Sequence, residues 1–235
     1  FNSSTLYMTK NTECENKVDI EDGSLLKINW DMSFRLEKKI LFQKKNLHLF
    51  NNWKINNNVK ELHSKRLIKS IYFDNKYYHM MKDSLEGLLP RHKIRIRTYP
   101  KSVNKKFYLE KKISSVEGRY KISRIINNAK NLLNVGLHDK KYKKILPVSV
   151  VEYTRSYYLY KNIRLTLDQD IYYQNFNNKN RIVKDNIYVL ELKTDDLNFD
   201  FDRINLDFIF SITRFSKYCR SYNFLNYGFQ KAKYE

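Results

Sequence analysis

The stretch His92-Lys93-Ile94-Arg95-Ile96-Arg97-Thr98-Tyr99 alternates between polar and apolar side chains. A period of two sends successive side chains to opposite faces of a strand. Lys93, Arg95, Arg97 and Tyr99 therefore share one face, and Ile94, Ile96 and Thr98 the other. Cations in a row repel one another unless something anionic lies opposite. Taken alone, the stretch also reads as a solvated basic edge strand. What decides the reading is that the pattern recurs along the chain.

Upstream, Arg35, Glu37 and Lys39 share a face within 34–40. Downstream, Glu110 and Lys112 oppose Leu109 within 107–113, and Val151, Tyr153, Arg155 and Tyr157 share a face within 148–160. Arg164, Thr166 and Asp168 alternate with Ile163, Leu165 and Leu167, and Glu191 and Lys193 oppose Leu190 and Leu192. The aliphatic faces are expected to pack on helices. The charged faces then look at each other across the inside of a closed sheet. Small barrels usually fill with apolar side chains. One lined by Arg and Lys must hold water and a polyanion, because unpaired buried charge is costly.

The remaining segments supply those helices. Tyr77 to Glu86 reads as a helix stopped by Gly87, and residues 44–66 hold enough apolar groups around Trp53 for a short one. Lys121 to Val135 has helical spacing through Ile122, Ile125, Ile126, Ala129, Leu132 and Leu133, ending at Gly136. Phe215 to Leu225 reads as a terminal helix carrying Lys217 and Arg220. Leu67 to Asp74 reads as a further strand. Residues 1–30, with the acidic patch Asp19, Glu21 and Asp22, are expected to be an arm, and 31–235 the folded domain. Because the chain begins at Phe1, a processed segment of a longer protein is expected.

The 235 residues are 42% hydrophobic and 30% charged, with a formal net charge of +20. Such a balance implies an anionic partner, although part of the lysine excess is generic surface. Lys140, Lys141, Lys143 and Lys144 read as a solvated loop. No apolar run approaches the roughly 18 residues of a membrane span. Cys14 and Cys219 make neither a disulfide framework nor a zinc site. The five glycines are too sparse for a phosphate-binding loop or a dinucleotide fingerprint. Asn2-Ser3-Ser4 matches a glycosylation sequon, a pattern too short to carry weight.

At this point the residues resemble the triphosphate tunnel enzymes (a CYTH-like superfamily), and within them the VTC-type polyphosphate polymerase domain. The matching pieces are Arg35-x-Glu37-x-Lys39, Ser70-Ile71-Tyr72-Phe73-Asp74, Lys93-Ile94-Arg95-Ile96-Arg97-x-Tyr99 and Leu109-Glu110-x-Lys112. Then come Tyr153-x-Arg155, Arg164-x-Thr166-x-Asp168, Glu191-x-Lys193 and Ser216-Lys217-Tyr218. Each piece is weak, but the ordered set, spanning about 34–220, is specific. The resemblance implies an α+β fold: an antiparallel eight-stranded β-barrel, the triphosphate tunnel, with helices packed outside. It assigns phosphate roles to Lys39, Arg95, Arg97, Lys112, Arg155, Arg164 and Lys217, with Tyr153 and Ser216 as hydroxyl donors. Arg35 joins as a substrate contact, and the Lys121/Arg124 pair supplies a further cation on a looser match. Glu191 is the implied ligand of a divalent metal, Mn2+ or Mg2+.

Hydrolytic members of that superfamily tend to begin Glu-x-Glu-x-Lys. Here Arg35 replaces the first acid, which resembles the polymerase branch and leaves fewer carboxylates to position a water. The expected activity is transfer of the γ-phosphate of ATP to a growing polyphosphate chain. Two other readings stay open: a triphosphatase or polyphosphatase using the same tunnel, and a non-catalytic polyphosphate binder. The expected partners are ATP with polyphosphate or pyrophosphate, and no specific nucleic acid, since no recognition helix or stacking motif appears. A membrane-protein partner outside this segment stays open. The expected place is the cytoplasm, including the cytosolic face of a membrane. Glu37 and Glu110 are expected to be counter-ions of tunnel cations, Asp168 a partner of Arg or Lys, and Tyr72 and Tyr99 packing groups.

Overall fold

The computed structural model describes residues 36–116, 118–196, 198–201, 204 and 214–227. The N-terminal arm, its acidic patch and sequon, and Arg35 lie outside the described residues. Among the described residues, ten strands form one sheet: β1 (Leu36–Gln43), β2 (Lys60–Asp74), β3 (Arg91–Thr98), β4 (Phe107–Ser114), β5 (Arg119–Ile126), β6 (Leu137–Asp139), β7 (Lys143–Tyr160), β8 (Ile163–Asn175), β9 (Ile182–Asp185) and β10 (Ile187–Thr194). The helices are α1 (Leu47–Asn56), α2 (His79–Glu86), α3 (Ala129–Val135) and α4 (Lys217–Tyr227). The main path runs β1-β10-β8-β7-β2-β3-β4-β5, with β6 added to β7 and β9 to β8. The pairings are antiparallel throughout.

The path holds the eight strands expected for a tunnel, but the sheet is curled rather than closed. β1 and β5 end the path without pairing to each other. The curl still brings its two arms together. Lys112 on β4 feels Glu37 on β1 with Glu191 and Lys193 on β10, and Lys39 on β1 feels Arg119 on β5. Twist accumulates from strand to strand in one hand, so a sheet this wide rolls up rather than staying flat.

Two apolar layers hold the curl. On one outer face, Phe50 and Trp53 of α1 pack on Ile40, Phe42, Leu165, Leu190 and Leu192. Full burial of such a side chain is worth about 1.5–3 kcal/mol. The other core gathers Ile94 and Ile96 of β3 with Met80, Met81, Tyr142 and Ile145. The apolar face of the basic strand is thus buried, as its alternation predicts.

Helix α4 packs across one end of the curl. Tyr218 stacks on Tyr72 with centroids 5.1 Å apart, and Phe224 on Tyr173 at 5.4 Å. Asp74, fully buried, ties this end together. Its carboxylate accepts the Met80 and Met81 N–H groups of the first turn of α2, and the hydroxyl of Tyr218. Those N–H groups have no intrahelical partner, so the carboxylate supplies one. Gly87 ends α2 at φ 83°, a conformation that favours glycine, and a Cβ there would lie 2.8 Å from Arg214.

One predicted element is corrected. Lys121 to Val135 is not a single helix: β5 runs to Ile126 and α3 starts at Ala129. Ile122 and Ile126 match both periods, whereas Ile125 fits only the helical one and ends exposed on the other face of the strand. Pairing with β4 settles the choice by satisfying the backbone of 119–126 in a ladder. β2 also begins earlier than Leu67, because Lys60 to Arg66 pair with β7.

Candidate functional site

Directly opposed residues of an antiparallel pair share a face. Arg95 stands opposite Tyr72 on one side and Glu110 on the other. Arg97 stands opposite Ser70, and Lys93 opposite Lys112. Arg155 is opposite Asp168, Thr166 opposite Glu191, and Lys39 opposite Glu191. Strand by strand, the charged face of each ladder turns into the curl, and together these faces line a lumen.

The first cluster centres on Glu110, which is 4% exposed. Arg95 reaches it at 2.6 Å, Lys121 at 2.6 Å and Arg97 at 3.8 Å. Burial pushes its carboxyl up, but Arg95, Arg97 and Lys121 hold it well below the usual carboxylate range. Arg95 also donates to the Tyr72 hydroxyl at 3.0 Å, so Tyr72 orients a lumen cation rather than only packing. Arg97 donates to Ser70 Oγ and, at 3.1 Å, to the Tyr153 hydroxyl. Burial pushes Tyr153 up, but Arg155 and Arg97 draw its phenol below its ordinary value.

The second cluster centres on Asp168, fully buried. Arg155 grips it with two donors at 2.5 and 2.8 Å, and Lys217 from the start of α4 donates to the same carboxylate. Forked pairing fixes the guanidinium plane. Ser216, just before α4, accepts from Lys93 Nζ at 3.0 Å, and Lys39 Nζ donates to the carbonyl of Phe215. The N-terminal end of α4 thus sits among cations at the covered end of the lumen.

The third cluster joins Glu37 and Glu191, two carboxylates bridged by Lys193. Lys193 lies 3.0 Å from Glu191 and 3.6 Å from Glu37, Lys39 lies 3.0 Å from Glu37, and Arg155 lies 3.7 Å from Glu191. Burial pushes Glu191 up, but Lys193, the contact with Glu37, Arg155 and Lys39 hold it far below the usual range. Lys112 is exposed to the lumen from the facing arm. Enclosure within the curl, with Arg95 and Lys193 nearby, holds its ammonium well below its ordinary value.

The curl therefore brings together Lys39, Arg95, Arg97, Lys112, Tyr153, Arg155, Glu191, Ser216 and Lys217. Arg164 shares this face, opposite Lys193, and is exposed at the end away from α4. Arg124 is not brought in. It stands opposite Leu109 on the outer face, while Lys121 points inward beside Glu110. Treating the segment as a helix hid this, because only a strand separates positions 121 and 124 onto opposite faces.

Sequence reasoning also passed over Lys93, although its alternation with Arg95 was visible. Burial, with Lys39, Arg91 and Arg214 nearby, pushes its ammonium down to about 8. A cation that serves phosphate from this position is lost as pH rises through 8. Tripolyphosphate affinity should therefore fall between pH 7 and 9, and Lys93→Arg should remove that fall, since a guanidinium stays charged. Calorimetric titrations across that range measure it. The two sequences having the same pH profile would exclude Lys93 from the ligand.

A family model for the VTC domain matches residues 31–140 and 121–226. The chain belongs to the VTC domain family. Among solved structures, this VTC domain is similar to a Bacillus halodurans protein provisionally named adenylate cyclase. They share 14% identity and a TM-score of 0.53, covering 77% of this chain and 94% of the other. That likeness shows the tunnel fold. A PH1819 protein from Pyrococcus horikoshii is also similar, at 17% identity and a TM-score of 0.43, covering 73% of this chain and 82% of that one. No curated protein matches the chain by sequence. Among the described residues of the VTC domain, no helix is long and apolar enough to cross a membrane.

Proposed function

We propose that this VTC domain, taken as residues 31–235, is an ATP-dependent polyphosphate polymerase. One observation carries the reading. The lumen carboxylates Glu37, Glu110, Asp168 and Glu191 are each ion-paired with lumen cations. None stands ready to deprotonate a water. A nucleophile that is already anionic needs no such base, and the end of a phosphate chain is one. Its terminal oxygen attacks the γ-phosphorus of ATP. A new phosphoanhydride bond forms, the bond from γ-phosphorus to the bridging oxygen breaks, and ADP leaves with the electron pair.

Phosphoryl transfer of this kind is mostly positioning and charge stabilisation. Arg95, Arg97 and Arg155 present guanidinium forks to phosphate oxygens, and Lys112 and Lys217 act as point charges. Tyr153 and Ser216 add hydroxyl donors.

Among the described residues, no group of three or more His, Cys, Asp or Glu could hold a metal ion. The Glu37/Glu191 pair nevertheless fits Mg2+ or Mn2+, because such ions are commonly held by one or two carboxylates together with substrate phosphates. When bound, the ion would offset charge on the phosphate oxygens. Incoming phosphates would also draw Lys39 and Lys193 off the two carboxylates. A cytoplasmic place goes with ATP as the donor.

The test is incubation with ATP and Mn2+ or Mg2+, read by gel for polyphosphate and by assay for free phosphate. ADP and long-chain polyphosphate should appear together. Free phosphate alone, matching ADP, would instead assign a triphosphatase. No turnover with either metal, with tripolyphosphate still bound, would assign a binder.

A further inference from the structure

The end of the lumen away from α4 carries groups that phosphate binding does not use. β2 pairs with β3 only from Lys69 to Phe73, whereas its pairing with β7 continues out to Lys60. Lys60 to Arg66 and Tyr157 to Tyr160 thus extend past the phosphate clusters as an apron. Its register slips between Glu61 and His63 and again between His63 and Arg66. Such irregularities re-aim side chains and recur beside active sites.

Here they seat the His63 ring on Tyr157, centroids 3.9 Å apart, and bring the Arg66 guanidinium to 5.6 Å from the same ring. Tyr157 lies two residues beyond Arg155 on the lumen face of β7, a rise of roughly 6.6 Å. Directly opposite it on β8 is Thr166. Thr166 is 6% exposed, and its Oγ1 has no hydrogen-bond partner among the described residues. A buried hydroxyl left unpaired is unfavourable, so a ligand oxygen beside it gains an unusually good donor.

We propose that this end binds the nucleoside portion of a nucleoside triphosphate. The base stacks against the His63–Tyr157 pair, and Thr166 Oγ1 donates to an α-phosphate oxygen, with Arg66 flanking. Every base has a π-face, so the site is selective for a nucleotide over bare polyphosphate rather than for one base. The γ-phosphate then points toward Arg97, Arg155 and α4. This rests on the reading of the lumen as a triphosphate site and adds which way round the triphosphate enters.

The test titrates the whole chain with ATP and, separately, with inorganic tripolyphosphate, both with Mg2+, by calorimetry. Tyr157→Leu should weaken ATP binding roughly tenfold, within the range for loss of one base stack, and leave tripolyphosphate within about twofold. His63→Ala should act in the same direction, and its half-buried position makes it the safer variant for folding. Thr166→Val should weaken ATP binding and Thr166→Ser should restore it. Retained tripolyphosphate binding shows in each case that the variant is folded. Equal weakening of both ligands, or of neither, in Tyr157→Leu and His63→Ala overturns the nucleoside site while the triphosphate lumen stands. A wild-type chain that binds neither ligand overturns both.

Discussion

Arg97→Ala is expected to weaken tripolyphosphate binding by roughly tenfold to a hundredfold while leaving the fold almost unchanged, whereas Arg95→Ala should damage both. A hydrogen bond to a charged group is worth about 1.5–3 kcal/mol, and about 1.4 kcal/mol is tenfold in affinity. Both arginines are placed to lose that much. They differ in what they leave behind. Arg97 is 3.8 Å from Glu110 and is otherwise held by hydroxyls, so its removal strands no charge. Arg95 makes the 2.6 Å contact, and without it Glu110 keeps only Lys121 and the distant Arg97. Removing one partner of a buried pair typically costs about 3–5 kcal/mol. Lys121 and Arg97 remain beside Glu110, so the cost should fall below that range. Arg95→Ala with Glu110→Gln should recover stability but not affinity.

Calorimetry and denaturant melts together separate the two effects. Unchanged affinity in Arg97→Ala would remove Arg97 from the ligand site. The same pair sets an acid limit. The Glu110 carboxyl is held below its ordinary value of 4.5 in the fold. Its contribution is fully present above that value and is lost as pH falls below it. Glu110→Gln should flatten that part of the stability profile.

Glu191→Gln should separate turnover from binding. The carboxylate faces Lys193 and Arg155 and shares Lys193 with Glu37, the pair proposed to hold a divalent ion. Losing one of two carboxylates should lower turnover tenfold or more, a barrier change of about 1.4 kcal/mol. Lys193 and Lys39 are then less neutralised, so tripolyphosphate should bind as well or better. That affinity is largely Coulombic and should fall with salt. If Glu191 only neutralises its neighbours, affinity rises and metal-dependent turnover stays near wild type. Both quantities measured on one variant decide the case.

Alternation alone made the lumen legible. Lys93, Arg95 and Arg97 on one face, and Leu190 and Leu192 opposite Glu191 and Lys193, follow from a side-chain period that no tertiary contact is needed to read. The ordered motifs carried the family, and the family carried the strand count on the main path. Where Ile122 and Ile126 fit two periods and Ile125 fits the helical one alone, the local pattern failed. A ladder with β4 decided between them, and with it decided that Lys121 faces Glu110 and Arg124 faces out.

The partners of each charge were also invisible in the sequence. Arg95 meets Glu110 through neighbouring strands, but Lys217 meets Asp168 only because α4 packs across the end of the curl. Lys112 feels Glu191 only because the sheet rolls up without closing. His63 meets Tyr157 only through a slipped register. Which residues can share a face is a property of the backbone period, and the sequence determined it. Which faces meet depends on twist, register shifts and helix packing summed over many strands, and only the tertiary structure decided that.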